Sequence, residues 1–100
     1  MPKGYWIVRG EVTDPEAYKA YVAANAAAFR KYGARFLARA GKHEVVEGSG
    51  RSRNVIIEFA DYATALACYH SGEYAAAKAL RIGAADIDII VIEGYDGAQP

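Results

Sequence analysis

The sequence predicts an α+β domain with the element order β-α-β-β-α-β, the split pattern of ferredoxin-like folds, with its helices on one face of a four-stranded antiparallel sheet. Three observations carry this. Aromatic and β-branched residues alternate along Tyr5 to Val12, Asn54 to Phe59 and Asp86 to Glu93, as half-buried strands require. Two stretches between them show apolar residues at three- and four-residue spacing. A turn of glycine, serine and arginine, Gly48 to Ser52, separates two extended segments in the middle of the chain.

Each element has a local reason. Tyr5-Trp6-Ile7-Val8 opens the first strand with residues that suit a pleated surface. Thr13-Asp14-Pro15-Glu16 reads as a helix start, with Thr13 and Glu16 as a capping box and proline in the first turn. That helix places Tyr18, Tyr21, Val22, Ala26 and Phe29 on one face, with Asn25 on its inward side, and Gly33 ends it. Arg35 to Ala40 is the second strand, bent at Gly41 and continuing extended from His43 to Glu47. Asp61 caps a second helix from Tyr62. Ser71 and Gly72 interrupt it, and Ser71 caps a further run from Glu73 to Ile82. The expected unit is one domain with an ordered core from about residue 4 to 94 and a frayed tail.

Composition narrows the function classes. The 100 residues carry 12 basic and 12 acidic side chains, so no basic footprint for nucleic acid or anionic lipid exists. No apolar run is long enough to span a bilayer, and Met-Pro-Lys-Gly-Tyr lacks the apolar centre of a secretory signal. The single Cys68 excludes an internal disulfide and fits a reducing compartment, so a cytoplasmic location is expected. Arg51 and Arg53 are the one local basic doublet, read as a solvated turn.

Strand parity assigns two faces to the sheet. Trp6, Val8, Val12, Val55, Ile57, Phe59, Ile87, Ile89 and Val91 form an apolar set for the helices to cover. The opposite set mixes Ile7, Leu37, Ile56, Ile90 and Ile92 with Arg9, Glu11, Arg39, Glu58 and Asp88. Monomers seldom expose so large an apolar patch, and a dry core would not hold those charges unpaired. A second copy packing sheet to sheet is expected to cover it, making a homodimer.

Several motifs together resemble a known family. Thr13-Asp14-Pro15-Glu16 with Tyr18 and Tyr21, Phe36-Leu37-Ala38-Arg39 before Gly41, Glu47-Gly48, Glu58-Phe59, Tyr69-His70-Ser71-Gly72-Glu73-Tyr74, Arg81 and Glu93-Gly94 are similar to the domain of unknown function 1330 family. These are small bacterial proteins of the dimeric α+β barrel superfamily. The chain departs from the family's pattern at Ala40, where glycine is frequent, and at Ala60 and Gly72, where proline is usual. The resemblance implies a homodimeric α+β barrel and brings no established activity. Relatives by superfamily include cofactor-free monooxygenases, haem-degrading enzymes and small isomerases.

The chemistry-bearing residues yield one candidate site. Cys68 and His70 are two apart on a helix and point apart, and no spacing typical of metal ligands occurs, so neither metal nor cofactor is expected. Cys68 reads as a small core side chain, and His70 as an exposed residue in a last helical turn, with haem ligation a superfamily analogy only. Tyr74 and Arg81, seven residues apart, share a helix face with Lys78 between them, and Arg81 can clamp a carboxylate in two-point fashion. Arg39 and Glu58, on one sheet face by parity, add an acid–base pair. Arg39, Glu58, Tyr74 and Arg81 are thus the candidate lining of a cleft for a small anionic or aromatic molecule, with Trp6, Tyr69 and Phe59 as its apolar wall. A cofactor-free enzyme with Glu58 as base, and a purely structural module in which these charges are dimer-stabilising ion pairs, are the competing readings.

Overall fold

The computed structural model describes residues 2–100. Its elements run β1 (Gly4–Val12), α1 (Pro15–Lys31), β2 (Arg35–Arg39), β3 (Arg53–Phe59), α2 (Tyr62–Tyr69), α3 (Gly72–Ala79) and β4 (Ala85–Glu93). The strands form one antiparallel sheet in the order β2-β3-β1-β4, and all helices lie on one face. This is the α+β ferredoxin-like arrangement, with its second helix broken into α2 and α3.

β1 is central because both of its edges are paired. Trp6 sits opposite Ile57 on one side and Val91 on the other. Its indole is fully buried, donates to the Ala65 carbonyl at 2.8 Å, and packs edge-on against Phe29, Tyr69 and Tyr74. One residue thereby ties the sheet to α1, α2 and α3. Gly4 has no side chain because a Cβ there would overlap the backbone of Asp61 and Tyr62, where α2 begins.

The caps are local. Asp14, one residue beyond the expected Thr13, is the N-cap of α1 and accepts from the Ala17 amide at 3.2 Å. Pro15 follows it, and Gly33 closes the helix end at φ +68°. Asp61 caps α2 through Thr64 N–H, and Ser71 caps α3 through Tyr74 N–H. α3 stops at Ala79 rather than Ile82, since the chain there tightens into turns at Leu80 and Arg81 and reverses at Gly83, φ +82°.

The second strand departs most from expectation. It ends at Arg39, and residues 43–47 form no strand. The bend lies earlier than Gly41: register slips between Phe36 and Ala38, so Leu37 is the extra residue of a bulge. Beyond it Arg39 pairs with Val55, whose side chain is on the helix side. The bulge therefore moves Arg39 off the open face where simple alternation puts it. The left-handed residue is Ala40, φ 54°, and not Gly41.

An alanine held at positive φ is strained, whereas glycine is not. Replacing Ala40 by glycine should raise the unfolding free energy by about 0.5–1 kcal/mol. Urea denaturation measures it, and a lowered midpoint would contradict the strain.

Candidate functional site

The four residues selected from the sequence do not form one site. Glu58 lies on the open sheet face, where it accepts from Tyr5 Oη at 3.3 Å, and the Tyr5 phenol is raised by partial desolvation and then by that carboxylate. Arg39 lies on the other side of the sheet. Tyr74 is fully buried and Arg81 is 8% exposed, both beneath α1 and behind Trp6. The expected Arg39–Glu58 pair is thus corrected: Arg35, not Arg39, stands opposite Glu58. Of the expected apolar wall, Trp6 reaches the cleft described below, while Tyr69 and Phe59 remain in the core around it.

What the fold does assemble is a cleft between α1 and the β2–β3 edge of the sheet. Its inner end is a cavity of about 20 Å³, floored by Trp6, Val8, Val55 and Ile57 and edged by Tyr21 and Asn25. Its outer end is an open groove of about 460 Å³ walled by Val12, Pro15, Tyr18 and Val22. Tyr18, Arg39 and Arg53 line both, so they stand at the neck between the two. A side branch of about 190 Å³ passes Asn25, Phe36 and Arg30, with Arg39 again at its entrance.

Local structure explains the neck. Arg53 opens β3 opposite Gly10, on the helix side, and its guanidinium lies 5.2 Å from the Tyr18 ring centre. Arg39, turned inward by the bulge, lies 4.1 Å from the ring of Phe36. Neither has a carboxylate within ion-pair distance; the pairs among the described residues are Lys19–Glu16, Lys31–Glu73 and Arg51–Asp88. Arg53 Nε is buried and makes no hydrogen bond within the chain. No aspartate or glutamate lines any part of the cleft, whereas Lys19, Arg30, Arg39 and Arg53 all do. A chain of zero net charge thus presents a cleft of one sign.

Behind the cavity runs a chain of phenols. Arg81 Nη2 donates to Tyr74 Oη at 3.3 Å, and Tyr74 Oη lies 2.8 Å from Tyr21 Oη. Burial, reinforced by Tyr74, holds the Tyr21 phenol well above its ordinary value. Tyr18 is raised by burial and by Tyr21, with Arg53 and Arg81 opposing. Burial pulls on the Arg81 cation, but the two phenols outweigh it and the guanidinium stays charged.

Cys68 and His70 lie outside this cleft. Cys68 is wholly buried under α1, and burial, with a smaller contribution from Glu73, pushes its thiol up to about 12, which suits core packing and not a nucleophile. His70 is the exposed C-cap of α2. Among the described residues no group of three His, Cys, Asp or Glu side chains is placed to hold a metal ion, and no helix is long and apolar enough to cross a membrane.

With this geometry, comparison places the chain. The model of a domain of unknown function, DUF1330, matches residues 3–95. The chain belongs to this family. No curated protein matches it. Among solved structures, this DUF1330 chain is similar to a protein of unknown function from Rhodopseudomonas palustris, at 16% identity and TM-score 0.74 over 96% of this chain and 85% of the other. It is also similar to SnoaB, a cofactor-independent oxygenase from Streptomyces nogalater, at 13% identity and TM-score 0.64 over 100% and 97%. A possible oxidoreductase of unknown function from Bacteroides thetaiotaomicron matches at 14% identity and TM-score 0.61, over 92% and 97%. At such identities the shared property is the fold.

Arg53 is not part of a solvated turn: it is the first residue of β3 and shares parity with Val55, Ile57 and Phe59, which places it on the helix side. Nothing in Phe36-Leu37-Ala38 signals the bulge that turns Arg39.

Tyr5, Tyr18, Tyr21 and Cys68 all hold their protons more tightly folded than unfolded. Their stabilisation is complete below the ordinary values, 9.0 for the thiol and 10.0 for the phenols, and drains away as pH rises through the folded ones. Melting temperature should stay level to about pH 8.5 and then fall steeply. Cys68→Ala should flatten the first part of that fall; an unchanged slope in this variant would contradict the assignment.

Proposed function

We propose that this protein binds a small organic anion with an apolar or aromatic body in the cleft between α1 and the β2–β3 edge. One observation carries the reading: Arg39 and Arg53, neither with a carboxylate partner, flank the neck of an apolar cavity whose lining contains no acid. An anionic head at the neck would satisfy Arg53 Nε, and the groove walled by Val12, Pro15 and Val22 would take the body. Glu58 lies across the sheet from this cleft, so a proton-transfer enzyme built on that carboxylate gains no support from its position. The neutral net charge favours a small ligand over nucleic acid, and the lone buried thiol favours a cytoplasmic setting.

Benzoate is a suitable probe. Calorimetric titration should show binding that Arg53→Ala weakens by about tenfold or more, as loss of a charge-assisted bond requires. Arg51→Ala should leave it unchanged, because Arg51 faces Asp88 outside the cleft. Absence of benzoate binding, or equal loss in both variants, would overturn the reading.

We further propose that a second copy covers the open sheet face. Leu37, Ile90 and Ile92 are each about half exposed there, at 48%, 60% and 49%. Arg51 pairs with Asp88 and Glu11 accepts from Ser52, contacts that would offset part of the cost of drying those charges, and the exposed apolar side chains supply the drive for covering the face. Light scattering on eluting protein should give twice the chain mass. Ile90→Lys should give monomer, at a cost of several kcal/mol for a buried unpaired charge. A wild-type monomer at micromolar concentration, or a soluble Ile90→Lys dimer, would contradict it.

A further inference from the structure

The inner end of the cleft is more selective than its neck. Arg81 has only donors, and it gives one to Tyr74 Oη. Tyr74 is fully buried, and the other hydrogen-bond partner of its oxygen is Tyr21, so the Tyr74 proton must go to Tyr21. The Tyr21 proton is thereby turned away from Tyr74, toward the cavity that Tyr21 and Asn25 both line. If it goes to the Asn25 carbonyl, the amide NH2 of Asn25 is left to donate. Either ending presents a hydrogen-bond donor, because the guanidinium at the far end fixes the direction of every link.

Size adds the second constraint. The inner cavity, about 20 Å³, admits a single oxygen and no more. An anion held at the neck by Arg39 and Arg53 passes one oxygen inward with least crowding if its head is flat, because a tetrahedral head must find room at the neck for a third oxygen. We propose that the inner cavity is a subsite for one oxygen of a planar carboxylate, with Tyr21 and Asn25 as its donors and Arg81, acting through Tyr74, as a positioning residue. This rests on the binding reading above and narrows it: the preferred ligand is a carboxylic acid, and tetrahedral anions such as sulfonates, sulfate and phosphate are held at the neck alone, without the subsite.

Benzoate and benzenesulfonate share a ring and a charge and differ in the shape of the head, so calorimetric titration of wild-type protein with each isolates the subsite. Benzoate should bind at least about tenfold more tightly, the weight of one to two hydrogen bonds. Tyr21→Phe should reduce that preference to within about threefold while leaving the affinity for benzenesulfonate unchanged. Asn25→Leu, of similar volume, should also narrow the preference and keeps the test decisive if Tyr21→Phe does not fold. Equal binding of the two anions by wild type would overturn the subsite and leave the cationic neck standing, as would a full preference retained in folded Tyr21→Phe and Asn25→Leu. Binding of neither anion would remove both readings together.

Discussion

A guanidinium buried without a carboxylate is the constraint on which the helical layer depends. Taking an arginine out of water costs several kcal/mol unless its donors are met; Arg81 gives one bond to the phenol of Tyr74 and has the ring of Tyr21 5.3 Å away, while its buried Nε has no partner within the chain. Those two tyrosines come from α3 and α1, so satisfying the cation also fixes the two helices against each other. The Lys31–Glu73 pair at 2.8 Å repeats the link at the surface, where it is worth little by itself. With α1 anchored to α3, and α2 tied to β1 through the indole of Trp6, the cleft opens where α1 overhangs the β2–β3 edge.

Charge distribution then separates the two sides of the sheet. On the open face, acids and bases are interleaved and largely partnered: Arg51 with Asp88, Glu11 with Ser52, Glu58 with Tyr5. On the helix side, Arg39 and Arg53 stand at the neck with only aromatic rings for company. A cation beside a ring is weakly held compared with one beside a carboxylate, so it keeps most of its capacity to bind an anion. The proposed ligand and the proposed partner subunit would therefore call on opposite faces of the sheet, without competing. Membership of a family of unknown function and kinship of fold with a cofactor-independent oxygenase leave the reaction, if any, to be argued from these side chains.

The element order, the break at Ser71, the capping aspartate of α2 and the composition of the core were legible from the sequence, because each follows from a period or a short-range hydrogen bond. Trp6, Val8, Val55 and Ile57 fall where alternation puts them. The site was less legible for an identifiable reason. Parity carries a side chain's face only while the register holds, and the bulge at Leu37 breaks it one turn of the pleat before Arg39. The expected bend at Gly41 was the right kind of irregularity in the wrong place, and the left-handed residue proved to be Ala40. Arg53 failed differently: its neighbour Arg51 does lie at the surface, and reading the pair as one doublet hid that β3 begins at Arg53, so that strand alternation governs Arg53 and not Arg51. The Tyr21–Tyr74 contact joins residues 53 apart, which no local pattern can reveal.

The central claim is that the ligand site lies on the helix side of the sheet, under α1, and not on the open face. Amide chemical shifts of isotope-labelled protein, followed during titration with benzoate, test it most directly. The account predicts shifts concentrated at Tyr18, Tyr21, Asn25, Arg39 and Arg53 and their immediate neighbours, saturating together. Shifts centred instead on Tyr5, Ile56, Glu58 and Ile90 would place the site on the open face and contradict it.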